Sequence, residues 1–350
     1  MPLNRRDFLK LGLGACLLPG LGWSLGRAAT LTSEEMYVFG TLVDVGVEHA
    51  DQTLARSAIA GVARDFQWQN QAWHAWKPGG LCALNAAFAA GGSHEVEPSL
   101  LPLLTEATEL ARLSGGLFNP AIGGLVGLWG FHNDEMPSGA LPRAERIAAL
   151  VAAAPSMDDL VVDGNRVASR NPAVQLDFGG YAKGVALDRA LDRLAAQGLG
   201  NAIVNLGGNL AVSGDKAGKP WRIGVRHPQG QGVLAALEVS GRSAVVTSGS
   251  YERYREFGGR HYPHIIDPRT GQPAQHVASV TVIHRDAALA DVAATALVVA
   301  GPEAWVDTAR RMGVRQVMLV DGAGRVQMTP EMTDRVSFVS KPAAIATVAV

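Results

Sequence analysis

The sequence predicts a protein of the α/β or α+β class, with mixed sheets and helices arranged in one large body or in two closely joined lobes. Three observations support this prediction. Strand-like and helix-like patterns of apolar residues alternate along the chain without a repeat of fixed period. The chain has 350 residues, of which 47% are hydrophobic and only 18% charged, enough apolar residues for a large core. It also contains 41 glycines, which mark points where backbone segments approach each other closely.

The first 29 residues are predicted to be an export signal. Arg5 and Arg6 precede an apolar stretch at 11–25 that glycines and a proline interrupt, too weak for a membrane span of about 20 apolar residues. Small residues at 26–29 are typical of a cleavage site. The arginine pair predicts the twin-arginine route and a periplasmic location. The alternatives are an uncleaved anchor and lipidation of Cys16, but the apolar run continues past Cys16. If the signal is processed, membrane association is expected only through lipidation of Cys16.

The first half of the remaining chain is predicted to begin with a strand within residues 34–47, where β-branched residues alternate. A helix follows at 53–69, because apolar residues recur there three or four positions apart. Pro78 and the two glycines after it indicate a loop at 73–80. A second helix at 98–114 ends at Gly115 and Gly116, and the stretch to 131 is apolar and Gly-rich without a clear period.

The second half alternates between short strands and helices. Helices are predicted where apolar residues have helical spacing, at 144–153, 181–197, 287–300 and 303–312. Strands are predicted where β-branched residues cluster between turn residues, at 160–162, 166–169, 174–177, 202–205, 221–225, 235–239, 244–247, 279–284 and 316–320.

Composition and missing motifs exclude several function classes. The formal net charge is −1 and no Lys/Arg cluster occurs, which excludes a nucleic-acid binder. No Walker A motif is present and no G-x-G-x-x-G follows a predicted strand, so a P-loop or Rossmann cofactor site has no support. The motifs H-E-x-x-H and G-x-S-x-G are also absent. Cys16 and Cys82 are the only cysteines, so disulfides do not hold the fold together.

Asp291 is the single carboxylate in the otherwise apolar run of residues 287–300. A helix that is apolar all round is buried, and a buried carboxylate needs a cation, a set of donors or a proton. Thr295 lies one turn later on the same face. Carboxylate and hydroxyl oxygens are ligands that suit Mg²⁺. The spacing fits equally well an Asp291 that caps the helix, with no metal.

Two glycine turns and one segment rich in titratable residues are further candidates. Residues 176–184 read as a strand end, a glycine turn and a helix start, where amides and Lys183 can hold an anion and Asp177 can accept from a ligand. An ordinary strand-to-helix turn is the alternative. Residues 205–209 form a second glycine turn. Residues 260–271 contain two histidines, an aspartate and two arginines; zinc ligation by His261, His264 and Asp267 lacks a fourth ligand.

Seven blocks, in this order along the chain, resemble the FAD:protein FMN transferase family of ApbE-like proteins. They lie at 39–41, 116–131, 176–184, 204–209, 247–251, 264–271 and 290–297. Because the blocks cover nearly all of the chain after the signal, the resemblance assigns residues 30–340 to one flavin transferase domain, followed by a tail at 341–350. It also implies an ApbE-like fold of two lobes with the FAD cleft between them.

The resemblance implies Mg²⁺-dependent transfer of the FMN moiety of FAD to a Thr or Ser hydroxyl of a target protein, with release of AMP. Asp291, Thr295 and a main-chain oxygen near Ala182 would bind Mg²⁺. Lys183 and the turn at Gly179 and Gly180 would bind the pyrophosphate. His264 would lie nearest the reacting phosphate, as general base or charge stabiliser, and Asp177 would bind a polar edge of FAD. The remaining residues that would line the FAD pocket are Phe39, Trp76, Trp129, Gly130, Phe131 and Ile265.

The chain departs from the family pattern at three places and leaves the metal pair intact. The family's Phe-Asp-Pro-Thr is Phe-Asn-Pro-Ala at 118–121, its Met-Gly-Thr is Phe-Gly-Thr at 39–41, and its Ser-rich stretch is Gly-Gly-Leu-Cys at 79–82. These departures indicate a specialised subgroup that serves a flavinylated respiratory membrane protein. Two other functions remain open: a periplasmic protein that binds or delivers FAD without catalysis, and an FAD pyrophosphatase.

Overall fold

The structure is a computed structural model that describes residues 29–133, 135 and 137–350. The predicted export signal and Cys16 therefore lie outside the described residues, apart from Ala29. The described chain has the mixed α/β fold that the sequence predicts, with helices packed on a large sheet. Strands and helices are numbered separately along the chain.

Nine strands form the largest sheet. Their spatial order is β1 (Thr30–Val38), β2 (Thr41–His49), β6 (Ala202–Leu206), β7 (Asn209–Ser213), β10 (Ser243–Gly249), β13 (Val277–His284), β14 (Gln316–Asp321), β15 (Arg325–Met328) and β17 (Ala344–Thr347). All neighbours are antiparallel except β15 and β17, which run parallel.

Three smaller sheets accompany it. One contains β3 (Ser93–Glu95), β5 (Arg166–Ser169) and β4 (Leu160–Asp163), and a second contains β16 (Val336–Phe338), β9 (Val233–Val239) and β8 (Trp221–Arg226). The third is a hairpin of β11 (Tyr254–Phe257) and β12 (Arg260–Pro263). This hairpin directly precedes His264 in the chain.

The helices are α1 (Gln52–Ala72), α2 (Gly80–Ala89), α3 (Leu101–Leu113), α4 (Gly123–Trp129), α5 (Ala144–Ala152), α6 (Ala182–Ala196), α7 (Ala287–Met312) and α8 (Pro330–Thr333). The helix predictions at α1, α3, α5 and α6 are confirmed. Gly301 has non-helical dihedral angles and Pro302 follows it, so α7 consists of the two helical pieces that the sequence predicts.

The core has apolar layers on both faces of the large sheet. On one face, residues of α1, α6 and α7 pack against the sheet and form the main cluster. On the other face, side chains such as Val212 and Met318 pack against Trp221 and Leu237 of the smaller β8–β9 sheet. This arrangement explains why β13 is buried along nearly its whole length, since a strand covered on both faces has no solvent side.

Within the described residues, α7 is the one helix long and apolar enough to cross a membrane, judged by length and composition alone. In its most apolar window, 67% of the helix is buried inside the molecule, against β10 and β13. The apolar sequence of α7 is therefore accounted for by its place in the core.

The single strand predicted within residues 34–47 is wrong, because β1 and β2 form a hairpin that turns at Phe39 and Gly40. Both turn residues have positive φ angles, 53° and 70°, which is common for glycine and rare for phenylalanine. A turn of two residues leaves the alternation of apolar residues almost uninterrupted, so the pattern resembles one long strand.

The structure differs from the sequence prediction at several other short elements. Residues 174–177 are not a strand, and their pairing is limited to an isolated bridge between Ile122 and Gln175. Residues 344–347, in the segment predicted as a tail, form β17 and so belong to the main sheet. The sequence patterns did not predict the short or Gly-rich elements α2, α4, α8, β3, β7, β11, β12, β15, β16 and β17.

Helices α6 and α7 approach each other most closely at Gly184. A Cβ atom at this position would lie 2.4 Å from the carbonyl oxygen of Ala287 and 2.7 Å from the Cα of Ala288. Real Cβ atoms do not come so close to backbone, so Gly184→Ala should push the two helices apart. We expect it to lower the free energy of unfolding by about 1–3 kcal/mol, measured by urea denaturation.

Gly61→Ala in α1 is the matched control for this prediction. A Cβ at Gly61 would approach only the guanidinium of Arg193, at 2.7 Å, and that flexible side chain can move away. The control should leave stability unchanged or raise it, because alanine has a higher helix propensity than glycine. Equal stability changes for the two variants would contradict a tight contact at Gly184.

Candidate functional site

The first turns of α6 and α7 lie side by side, and the candidate site forms where they meet. Asp188 of α6 accepts hydrogen bonds from the backbone N–H groups of Ala287 (2.8 Å) and Ala288 (3.0 Å) at the start of α7. Asp286 is the residue that caps α7, with its carboxylate accepting from the N–H of Leu289 at 2.8 Å. Asp291 is therefore not the helix cap, and its carboxylate is left for another role.

Asp291 is a buried carboxylate held by two neutral donors. It is 2% exposed. One oxygen accepts from the backbone N–H of Gly184 at 3.0 Å and the other from the side-chain amide of Asn209 at 2.9 Å. Burial raises the pKa of Asp291, while the nearby ammonium of Lys183 acts in the opposite direction. The carboxylate thus ties together α6, α7 and β7.

Thr295 lies one helical turn after Asp291, beside the glycine turn that precedes α6. A Cβ at Gly180 would be 3.3 Å from the hydroxyl of Thr295, so the turn passes directly over this side chain. The hydroxyl of Ser248 lies 3.5 Å from that of Thr295. The site therefore brings together a carboxylate, two hydroxyls and the first residues of α6, among them Ala182.

These donors fit a hard cation that keeps other ligands. The set consists of oxygen atoms, which Mg²⁺ prefers, and it offers one carboxylate where Mg²⁺ is commonly held by one or two. Nowhere in the described part of the chain do three or more His, Cys, Asp or Glu residues come together to hold a metal ion. The zinc set considered for residues 261–267 therefore does not form, and Asp267 instead pairs with Arg269 at 2.8 Å.

Lys183 supplies positive charge to the centre of the site. Its ammonium is close enough to oppose the rise in the pKa of Asp291 and of Glu252, and it helps to lower the pKa of His264. Glu252 is an acidic residue that the sequence reasoning missed; burial raises its pKa. The sequence could have indicated Glu252, because it directly follows the block at 247–251 that resembles the family.

Asp177 and Trp76, both predicted site residues, contact each other directly although 101 positions separate them. One carboxylate oxygen of Asp177 accepts from the indole N–H of Trp76 at 2.8 Å, and the other accepts from the N–H of Gly179 at 2.7 Å. The indole ring of Trp76 also lies near His132, with 5.1 Å between ring centroids. Asp177 thus orients Trp76 and the glycine turn together.

His264 is held by the carbonyl oxygen of Arg253, which lies 3.1 Å from its Nδ1 atom. Because a carbonyl can only accept, Nδ1 carries the hydrogen and Nε2 has a free lone pair. Burial, together with the positive charges of Arg253 and Lys183, lowers the pKa of His264 to about 4. The imidazole is therefore neutral at neutral pH and can accept a proton at Nε2.

Of the other predicted pocket residues, Phe131 contacts His264 directly, and the rest lie in or beside the apolar clusters of the fold. Phe131 contacts the edge of His264, with centroids 6.3 Å apart. Trp129 is 2% exposed, and its indole donates to the carbonyl of Gly271 at 2.8 Å. Gly130 ends α4 in the left-handed conformation, with φ of 84°. Ile265 is buried in the main cluster, and Phe39 packs against Phe66 with centroids 5.8 Å apart.

Sequence comparison with known proteins assigns most of the chain to one family. Residues 39–319 match the sequence model of the ApbE family. The FAD:protein FMN transferase of Rhodobacter capsulatus is 46% identical over 334 residues, which covers 95% of this chain but only 64% of the length of that relative. The FAD:protein FMN transferase of Treponema pallidum is 35% identical over 350 aligned residues, covering 94% of this chain and 95% of the relative.

Solved structures agree with the sequence comparison. The ApbE protein of Thermotoga maritima superposes with a TM-score of 0.80 at 29% identity, covering 87% of this chain and 99% of the other. The apo form of the flavinyl transferase ApbE of Pseudomonas stutzeri superposes with a TM-score of 0.76 at 29% identity, covering 91% and 100%. These matches confirm the predicted fold class and resemblance. The chain belongs to the ApbE family.

Proposed function

We propose that this chain is an FAD:protein FMN transferase, which moves the FMN moiety of FAD to a Thr or Ser hydroxyl of a target protein and releases AMP. The observation that carries the proposal is the buried carboxylate of Asp291, which meets Thr295 and Lys183 at the start of α6. The relatives named above carry the same activity in their names. FAD is then the substrate, and a protein is the second substrate.

The proposed metal ligands are Asp291, Thr295 and the main-chain oxygen of Ala182. Their oxygen chemistry fits Mg²⁺, and the buried carboxylate has only neutral hydrogen-bond donors as its direct partners in the described residues. When bound, Mg²⁺ would supply positive charge against the pyrophosphate of FAD.

The other groups position FAD for transfer. The backbone amide of Gly180, the ammonium of Lys183 and the positive end of α6 bind the pyrophosphate, because helix N-termini favour anions. Trp76, held by Asp177, stacks on a ring of FAD. The rest of the FAD pocket is formed by Phe39, Trp129, Gly130, Phe131, His264 and Ile265.

His264 accepts the proton from the incoming hydroxyl in this mechanism. As Nε2 takes that proton, the hydroxyl oxygen forms a bond to the phosphorus of the FMN moiety. The bond from this phosphorus to the bridging oxygen breaks, and AMP leaves with the electron pair. Phosphoryl transfer of this kind depends mainly on positioning and charge neutralisation, which are the tasks of Lys183 and the backbone amides.

We also infer that the protein works in the periplasm after export by the twin-arginine route. The support for this inference is the pair Arg5 and Arg6 before the interrupted apolar stretch at 11–25. The departures from the family pattern at 39–41, 79–82 and 118–121 support a target among flavinylated respiratory membrane proteins.

The proposed function is tested by incubating residues 30–350 with FAD, Mg²⁺ and a protein domain that carries the acceptor Thr. We expect fluorescent flavin bound covalently to that domain, and AMP in equal amount. Bound FAD without covalent transfer would instead support a carrier of FAD. Free FMN and AMP formed without an acceptor would support a pyrophosphatase.

Asp291→Asn should abolish the Mg²⁺ dependence of transfer and lower kcat by about a hundredfold or more, because the amide carries no charge for the cation. Binding of Mg²⁺, followed by calorimetry, should be lost while circular dichroism stays that of the wild type. Asp307→Asn is the control on the same helix, since Asp307 is exposed and pairs only with Arg310 among the described residues. Normal Mg²⁺-dependent transfer by Asp291→Asn would rule out the metal assignment.

His264→Gln should lower kcat by about 10²–10⁴-fold and weaken FAD binding far less, because general base catalysis is lost. In the wild type, kcat should stay level through neutral pH and fall as pH approaches about 4, where His264 gains a proton and loses its lone pair. The variant should lack this fall. The control is His261→Gln on β12, which stacks on Tyr254 instead. Equal losses of binding and transfer would argue that His264 only binds FAD.

A further inference from the structure

His264 is anchored twice by a single carbonyl group. The carbonyl oxygen of Arg253 accepts from the backbone N–H of His264 at 3.0 Å and lies 3.1 Å from Nδ1 of the same residue. The first bond fixes the backbone of His264 and the second fixes the orientation and tautomer of its ring. Both therefore depend on the position of Arg253, just before the β11–β12 hairpin.

The side chain of Arg253 binds the backbone of the residue that packs against the same imidazole. Its Nη2 atom donates to the carbonyl oxygens of Phe131 at 3.3 Å and Asn133 at 2.5 Å. The ring of Phe131 meets His264 edge-on, with an interplanar angle of 73°. Arg253 thus supplies the carbonyl that accepts from the imidazole, and its guanidinium binds the backbone of Phe131, whose ring packs against that imidazole.

Arg255, by comparison with Arg253, has a purely structural role. It lies two positions further along the chain, within β11. It is 6% exposed, and it donates to the carbonyl oxygens of Trp129 (3.0 Å), Ser138 (2.7 Å) and Ala140 (2.5 Å). Arg255 therefore fixes the backbone on either side of the stretch that Arg253 holds next to His264.

We propose that Arg253 is a positioning residue for flavin transfer, which sets the orientation of His264 through its carbonyl and places Phe131 against the imidazole through its guanidinium. This inference rests on the proposed function. The positive charge of Arg253 adds a second effect, because with Lys183 on α6 it opposes protonation of the imidazole. Among the described residues, these two cations oppose protonation of His264, and burial acts in the same direction.

Two substitutions at Arg253 separate its positioning effect from the effect of its charge, and both keep the backbone carbonyl of residue 253. Arg253→Gln removes the charge and the two-carbonyl contact, so kcat should fall about tenfold to a hundredfold with KM for FAD unchanged. The pKa of His264, followed by NMR of the imidazole, should rise above its wild-type value of about 4. Arg253→Lys keeps the charge, but its ammonium ends one bond short of the Nη2 atom that reaches both carbonyls. It should leave the pKa of His264 low and still reduce kcat.

Arg260→Gln is the control, because Arg260 is an exposed residue at the tip of the same hairpin. A wild-type kcat in Arg253→Gln would overturn the proposal. So would a fall in kcat that comes with a lower melting temperature and an unchanged pKa of His264, since that result indicates a structural role only. If the wild-type protein transfers no FMN, the proposed function fails, whereas the NMR titration still decides whether Arg253 acts on His264.

Discussion

The contact of the Asp291 carboxylate with the N–H of Gly184 and the amide of Asn209 is the constraint on which the rest of the site depends. A carboxylate away from water is unfavourable unless its charge is compensated, and two neutral donors compensate it only in part. The fold accepts this cost at one point, where α6, α7 and β7 converge. Lys183 and the glycine turn before α6, which we propose bind the pyrophosphate, lie around that point.

The close approach of the two helices is what makes this contact possible. Gly184 has no side chain, so its N–H reaches the carboxylate and its Cα lies against the backbone of Ala287 and Ala288. Asp188 on α6 accepts hydrogen bonds from the first N–H groups of α7 and so fixes the position of α7 along α6. The site is therefore built on two rigid elements. With a net charge of only −1 for the whole chain, attraction of an anionic substrate falls to local groups such as Lys183.

How far the sequence predicts this structure depends on whether the signal is local. Asp291 is predictable because a lone carboxylate in an apolar helix must have a partner, and Lys183 because it follows a glycine turn. The partners themselves are not predictable in this way: Asn209 lies 82 positions from Asp291, and Trp76 lies 101 positions from Asp177. The hairpin turn at Phe39 and Gly40 was missed because two residues do not disturb a pattern of period two. The role of the Arg253 carbonyl in orienting His264 could not be predicted from the sequence, because every residue has a carbonyl group.

The hydrogen bonds from Arg253 and Arg255 to main-chain oxygens affect which nearby residues can be substituted. Arg253 binds the carbonyl groups of Phe131 and Asn133, and Arg255 binds those of Trp129, Ser138 and Ala140. These groups are present whatever side chain the residue carries. Most substitutions at positions such as Asn133, Ser138 and Ala140 therefore keep the backbone where it is. The stretch beside His264 can therefore change in sequence, and with it the surface that it presents, as long as Arg253 and Arg255 are retained.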